Sequence, residues 1–270
     1  MTDASALQHL ETFYDAVPRA GARVEPVGPF ALFVREGAGW PFYARPAPGS
    51  PDRFTVDDVR QVRARQVEVG VPEALEWVHD LAPSLTAAAR EAGLTVQLCP
   101  LMVLDPQALT MPEADDVSVR IAGPDDADLA LAEAVASVAF GAGIGTAVGE
   151  AGVDERDETA DQADPSRLAM MRAALRAGTQ VRAVARRDGA GPVGVGGYQH
   201  AAGVAELVGI ATLPSARRRG IAAAVAGVLA REALSRGLGT VFLSAQDEDV
   251  ARVYERVGFR RLGTAGLAEP

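Results

Sequence analysis

Between a strand pattern and a helix pattern stands the run Arg217-Arg218-Arg219-Gly220-Ile221-Ala222, and that junction constrains the fold more than any other stretch of the chain. A helix N-terminus presents backbone N–H groups without intrahelical acceptors and a partial positive charge, and a glycine at the turn lets another group approach the backbone closely. Such a junction binds anions. Three arginines add local positive charge to a chain whose formal net charge is −10, which is more telling than the same cluster in a basic protein. The six residues alone fit a solvated arginine run before an ordinary helix equally well, so the reading depends on what surrounds them.

Upstream, Asp105 to Asp116 has two prolines, four acids and no sustained period, the pattern of a linker, and it divides the chain into domains at 1–110 and 111–270. In the second part Val117 to Ile121 reads as a strand, Pro124 to Val138 and Pro165 to Arg176 as helices. Gln180 to Arg186, Val193 to His200 and Val204 to Thr212 read as strands of an antiparallel meander, with turns at Asp188-Gly189-Ala190-Gly191 and Ala201-Ala202-Gly203. The helix Ile221 to Arg236 stops at Gly237. Thr240 to Ala245 is a strand, Val250 to Val257 a helix with Gly258 after it, and a last strand ends the chain. Val250, Val253, Tyr254 and Val257 share one face of their helix. The order βααβββαβαβ predicts an α+β fold, a mixed, largely antiparallel twisted sheet flanked by helices.

Composition narrows the function classes. Apolar residues make up 48% of the 270, enough for a large core. No segment approaches the roughly 18 apolar residues of a membrane span, and the N-terminus has neither a basic leader nor an apolar run, so the expectation is a cytoplasmic protein with no membrane partner. The negative charge argues against nucleic acid. Cys99, the lone cysteine, excludes an intrachain disulfide and is expected in the core. No His, Cys and carboxylate set has metal-ligand spacing and no GxSxG elbow appears, so no metal is expected. The oligomeric state stays open between monomer and homodimer.

The surroundings of the loop carry a resemblance. VAELVGIATLPSARRRGIAAAVAGVLAREA resembles motif A of the GNAT superfamily of N-acetyltransferases, whose pattern Q/R-x-x-G-x-G/A is filled here by Arg217, Gly220 and Ala222. DEDVARVYERVGF, from Asp247 to Phe259, resembles the family signature N-x-x-A-x-x-x-Y-E-x-x-G-F, departing from it at Asp247 and Val250. The likeness spans Val117 to about Thr264. It implies a GNAT fold and acetyl-CoA as co-substrate, with backbone groups of Ile210, Ala211 and Thr212 toward the acetyl and pantetheine portions. Arg217, Arg218, Arg219, Gly220, Ile221 and Ala222 would hold the pyrophosphate. Gly209, inside a strand, suggests a bulge or a close approach, and members of this family splay two strands there.

Strand alternation puts Val204, Glu206, Val208, Ile210 and Thr212 on one face, so Glu206 is a carboxylate among apolar neighbours. Desolvation raises a carboxyl pKa, which suits a base that deprotonates an ammonium near neutral pH. The alternative is a solvent-facing or arginine-bound glutamate. The resemblance implies the base role for Glu206, and for Tyr254 protonation of the departing thiolate; the alternative for Tyr254 is core packing. His200, beside the expected cleft, is a second candidate base or a plain surface histidine. The acids between Glu150 and Asp164 form a solvated, mobile run, or an attraction for a cationic acceptor. The implied activity is acetyl transfer to a primary amine of a small molecule by direct attack. A protein or peptide amine as acceptor and a non-catalytic acyl-CoA-binding module are the alternatives.

Strand Trp40 to Arg45, helix Val56 to Val69, strand Ala74 to His79, helix Pro83 to Ala92 and strand Leu94 to Leu104 repeat the last five elements of the second half. The first half thus resembles a degenerate GNAT-like domain, as in tandem members of the family. It has Ala89 in place of the tyrosine and no arginine-glycine loop, so no acetyl-CoA site is expected there. Trp40, Phe42, Tyr43 and Trp77 are expected as core aromatics.

Overall fold

The computed structural model describes residues 2–37, 41–51, 53–141 and 150–270. These pack as two compact units, Met1–Met102 with Ser244–Glu248 and Arg261–Pro270, and Val103–Leu243 with Asp249–Arg260. By packing, most of the C-terminal strand groups with the first unit.

The first unit starts with α1 (Asp3–Arg19), whose N-cap Thr2 accepts from the Ser5 amide and whose buried Ala6, Leu7, Leu10, Phe13 and Tyr14 follow helical spacing. Strands β1 (Ala22–Val27), β2 (Phe30–Arg35) and β3 (Arg45–Pro46) form an antiparallel sheet in that order. Then come α2 (Val56–Val69), β4 (Leu75–Val78), α3 (Ser84–Glu91) and β5 (Thr95–Leu104). In place of the expected strand Trp40 to Arg45 the chain forms the two residues of β3, paired with Phe30 and Ala31; Trp40 lies outside the described residues. Trp77 is fully buried, in a cluster with Leu75, Phe30 and Leu85. Phe42 and Tyr43 are only half-buried, and Phe42 lies beneath the Arg35 guanidinium, 3.9 Å from its ring centre. Cys99 is half-buried instead of core, with Sγ 3.6 Å from the Gln246 carbonyl oxygen, and burial pushes its thiol pKa up.

The second unit contains β6 (Val117–Ala122), α4 (Leu129–Phe140), α5 (Val153–Asp161), α6 (Pro165–Ala177), β7 (Gln180–Arg187), β8 (Gly191–Ala201) and β9 (Val204–Thr212). After them come α7 (Ile221–Ser235), β10 (Thr240–Ser244), α8 (Glu248–Glu255) and β11 (Phe259–Glu269). Its strands run in the order β10-β9-β8-β7-β6, antiparallel except for the parallel pair β10·β9. In the first unit β11 pairs antiparallel with β4, Ala265 opposite Val78 and Ala268 opposite Leu75. The mixed, largely antiparallel sheet with flanking helices is the fold class expected from the sequence.

Two differences from the expected elements have local causes. Helix α4 begins at Leu129 instead of Pro124, because Arg120 binds both Asp126 and Asp128, Arg186 also grips Asp128, and Asp126 accepts from the Asp128 amide. That network holds the segment as a turn. The acidic run contains α5, which the sequence does not announce: Glu155 caps it by accepting from the Gly152 amide at 2.7 Å. Arg156, nearly fully buried, donates to the Ala190 and Pro192 carbonyls at 2.7 and 2.6 Å and pairs with Asp157. Truncating Arg156 to Ala orphans both carbonyls and empties a packed site. The expected loss is about 2–3 kcal/mol of stability, read as a lower urea midpoint with an unchanged slope.

Helices α4 and α7 cover opposite faces of the second unit's sheet. A Cβ on Gly196 would sit 2.7 Å from Val225 of α7, and one on Gly194 would sit 2.6 Å from Ile221, so glycines let this helix press onto β8. Gly197 points the other way, against Arg182, whose Nε lies 3.3 Å from Glu133 of α4. Ten of the fifteen residues of α7 are buried, which makes it a central helix with a fixed N-terminus.

Candidate active site

The strand before α7 does two things that a plain strand would not. At Gly209, φ +60°, the β8·β9 register slips. Val195 stands opposite Ala211 and Gly197 opposite Val208, so β9 holds one extra residue between them, which is a bulge that a glycine accommodates. The second event is a parting. The β10·β9 ladder runs through Thr240–Val204, Val241–Ala205 and Phe242–Glu206, while β9 itself continues to Thr212 along β8. The splay suggested by Gly209 is present, and it opens at Glu206.

The bulge corrects one expectation. Glu206 and Val208 lie opposite Gln199 and Gly197, on the α4 face, whereas Ile210 contacts the space above Gly196 on the α7 face. Thr212, opposite Gly194, is on that face too. Simple alternation fails because the extra residue shifts its phase.

Glu206 is buried, and its Oε2 accepts from Gln199 Nε2 at 2.9 Å. Gln199 was not among the sequence candidates. The turn read from the sequence, Ala201-Ala202-Gly203, is one residue too long to show the pairing; in the fold it is the two residues Ala202 and Gly203, at φ +50° and +77°, and counting outward from it places Gln199 opposite Glu206. His200 points elsewhere, with Nε2 2.7 Å from the Gly178 carbonyl at the end of α6 and its ring edge-on to Tyr198. That anchorage makes it structural.

The loop itself runs Pro214–Ala216 as a 3₁₀ turn, then Arg217 extended, Arg218 at φ +61° and Gly220 at φ +81° as the α7 N-cap. Among the described residues no side chain caps α7, so its first turn keeps N–H groups available to a ligand. A Cβ at 220 would also stand 3.3 Å from the Glu113 carbonyl. Arg218 and Arg219 are exposed beside that turn. Arg217 is exposed as well, and its Nη2 donates to the Ala139 carbonyl at 3.0 Å, in the last turn of α4, where a cation is favoured. That bond ties α4 to the loop through one of the guanidinium's several N–H donors. Ser215 N–H also donates to the Ala151 carbonyl. Thr212 Oγ1 is buried with no hydrogen-bond partner among the described residues. An uncapped helix start, an unmatched hydroxyl and parted strands suit a long polyphosphate ligand with an extended amide-bearing arm, so the residues present fit acetyl-CoA.

Tyr254 is buried on α8, edge-on to Phe259 at 6.2 Å. Burial holds its phenol well above the ordinary value, so it stays protonated at neutral pH and can donate but not accept a proton. The buried stripe of this stretch is Ala251, Tyr254 and Val257, with Val250 and Val253 half-buried. The linker is packed on its end: Thr110 N–H donates to the Val257 carbonyl and Asp105 N–H to the Gly258 carbonyl.

The corresponding helix of the first unit differs at its start. Thr55 and Asp58 form a capping box on α2, and Asp57 and Asp58 put two acids in its first turn. Side chains already occupy those amides, and the charge there repels phosphate. Among the described residues no group of three His, Cys, Asp or Glu side chains could hold a metal ion, and no helix is long and apolar enough to cross a membrane.

Residues 152–259 match the sequence model of the Acetyltransferase (GNAT) family. Among solved structures, a GCN5-related N-acetyltransferase from Kribbella flavida superposes with a TM-score of 0.70 at 22% identity, covering 98% of this chain and 95% of that one. A GCN5-related N-acetyltransferase-like protein from Streptococcus suis gives 0.54 at 12% identity, with 99% of both chains covered. A tandem GNAT protein from the clavulanic acid biosynthesis pathway gives 0.53 at 13%, covering 88% of this chain and 77% of that one. At these identities the structural likeness speaks for the fold. No curated protein sequence matches the chain.

Proposed function

We propose, from the premise that residues 152–259 form an acetyltransferase domain of the GNAT family, that the chain moves an acetyl group from acetyl-CoA to a primary amine of a small molecule in the cytoplasm. The observation that carries this reading is the parting of β9 from β10 at a buried carboxylate, Glu206, in the strand that leads to the uncapped start of α7.

Acetyl-CoA supplies a thioester-activated acetyl group. The first turn of α7, with Arg217, Arg218 and Arg219, holds the diphosphate by N–H donation and charge. Backbone groups of Ile210, Ala211 and Thr212 on the parted edge of β9 take the amide-bearing arm, since no ladder to β10 extends that far. Glu206 takes a proton from the acceptor ammonium, and the freed amine attacks the carbonyl carbon without an enzyme-bound intermediate. Tyr254, whose phenol keeps its proton, hydrogen-bonds the departing sulfur, and the second proton lost by the attacking nitrogen goes to the thiolate. Removing its hydroxyl alone with Tyr254→Phe keeps the packing against Phe259 and lowers kcat on the order of a hundredfold. Steady-state kinetics beside a thermal melt check this, and an unchanged kcat reduces Tyr254 to packing.

Free thiol release from acetyl-CoA, measured over a panel of small amines and peptides, tests the function. Release with small amines supports the proposal. Release with peptides only moves the acceptor to protein, and the absence of release with every acceptor leaves an acyl-CoA-binding module. Several acids near α5 are engaged locally, Glu155 and Asp164 as caps and Asp157 with Arg156, which weakens the case for that run as an acceptor magnet.

A further inference from the structure

We propose that Gln199 is the positioning residue for the Glu206 carboxylate, fixing Oε2 so that the carboxylate stands ready for the acceptor's proton. The inference rests on the reading of Glu206 as general base and deepens it.

The two residues are direct cross-strand partners, and the amide donates to Oε2 at 2.9 Å. Opposed side chains in a ladder lie about 4.5–5.5 Å apart at Cβ, so a glutamine reaches a glutamate without strain. The two-residue turn at Ala202 and Gly203 pins the register, which makes the pairing a property of the backbone. Along this face of β8 the sequence Val195, Gly197, Gln199 offers a polar group only at the position opposite Glu206. A buried carboxylate needs donors, and free rotation would cost a base its aim. Glutamine meets both needs without introducing a charge.

On this face Arg182 of β7 and Glu133 of α4 pair with each other beside Gly197, one step along the ladder. From β10 the neighbour is Phe242. His200 has its side chain on the opposite face, anchored to Gly178. A hydrogen bond to a carboxylate favours its charged form, so withdrawing the Gln199 donor shifts the proton equilibrium of Glu206 upward.

The test is a pH–rate profile of the whole chain for Gln199→Leu, Gln199→Asn and Glu206→Gln, with acetyl-CoA KM measured alongside. Gln199→Leu keeps bulk and removes the donor. The acid limb is expected to move up by about one pH unit, a roughly tenfold loss of kcat at low pH, with acetyl-CoA KM held. Gln199→Asn preserves polarity but draws the amide back by one methylene, and must move the limb the same way should the leucine variant fold poorly. A wild-type limb and kcat in the Gln199 variants, with turnover at low pH lost in Glu206→Gln, overturns the role of Gln199. Wild-type turnover at low pH in Glu206→Gln overturns the base reading on which it stands.

Discussion

Glu206→Gln lowers turnover by about 10²- to 10⁴-fold, the usual contribution of a positioned general base, while acetyl-CoA still binds. The substitution is nearly isosteric, and the new amide can turn its oxygen toward Gln199, so the hydrogen bond seen at Oε2 survives. What disappears is the proton acceptor. The deficit is greatest at low pH, where the acceptor is almost wholly ammonium, and narrows as pH rises and free amine becomes available. Binding is spared because the α7 N-terminus lies fourteen residues further along the chain and its N–H groups are untouched. Steady-state rates across pH, with acetyl-CoA affinity measured by calorimetry, check both halves. Unchanged turnover removes Glu206 from the mechanism.

Gly220→Asp produces the opposite pattern, loss of acetyl-CoA binding in a chain that still folds. The position has φ +81°, which aspartate tolerates better than most residues, at a cost of about 1–3 kcal/mol for a non-glycine side chain there. Part of that cost is offset, since an acid at a helix start suits the dipole. The same carboxylate stands where the diphosphate is held, and two like charges about 4 Å apart repel by about 4 kcal/mol at an effective dielectric of 20. Solvent screening reduces this, so the expected rise in the acetyl-CoA Kd is on the order of a hundredfold. A thermal melt separates the two effects: a drop of a few degrees with lost binding is the expected result.

Residues whose role follows from chain-local chemistry were legible in the sequence. The α7 boundary, its glycine start and the bulge at Gly209 are backbone demands written as glycine. The burial of Glu206 and Tyr254 follows strand and helix spacing. What escaped depends on register and on distant partners. The face of Ile210 was lost because a bulge shifts phase without changing composition. The helix α5 was hidden because its stability comes from Arg156 reaching carbonyls at Ala190 and Pro192, more than thirty residues on. Arg217 belongs to the same class: as sequence it is one of three equal arginines, and only the fold shows its Nη2 reaching the Ala139 carbonyl.

The repeat of elements in the first unit is also readable, but its silence as a donor site becomes physical only with the capping box on α2. At a helix start closed by Thr55 and Asp58, side chains hold two of the amides and two acids oppose an anion. Titration of the whole chain with acetyl-CoA by calorimetry tests the account most directly. One equivalent bound per chain, abolished by Gly220→Asp, is the predicted result; two equivalents, or one that persists in that variant, contradicts it.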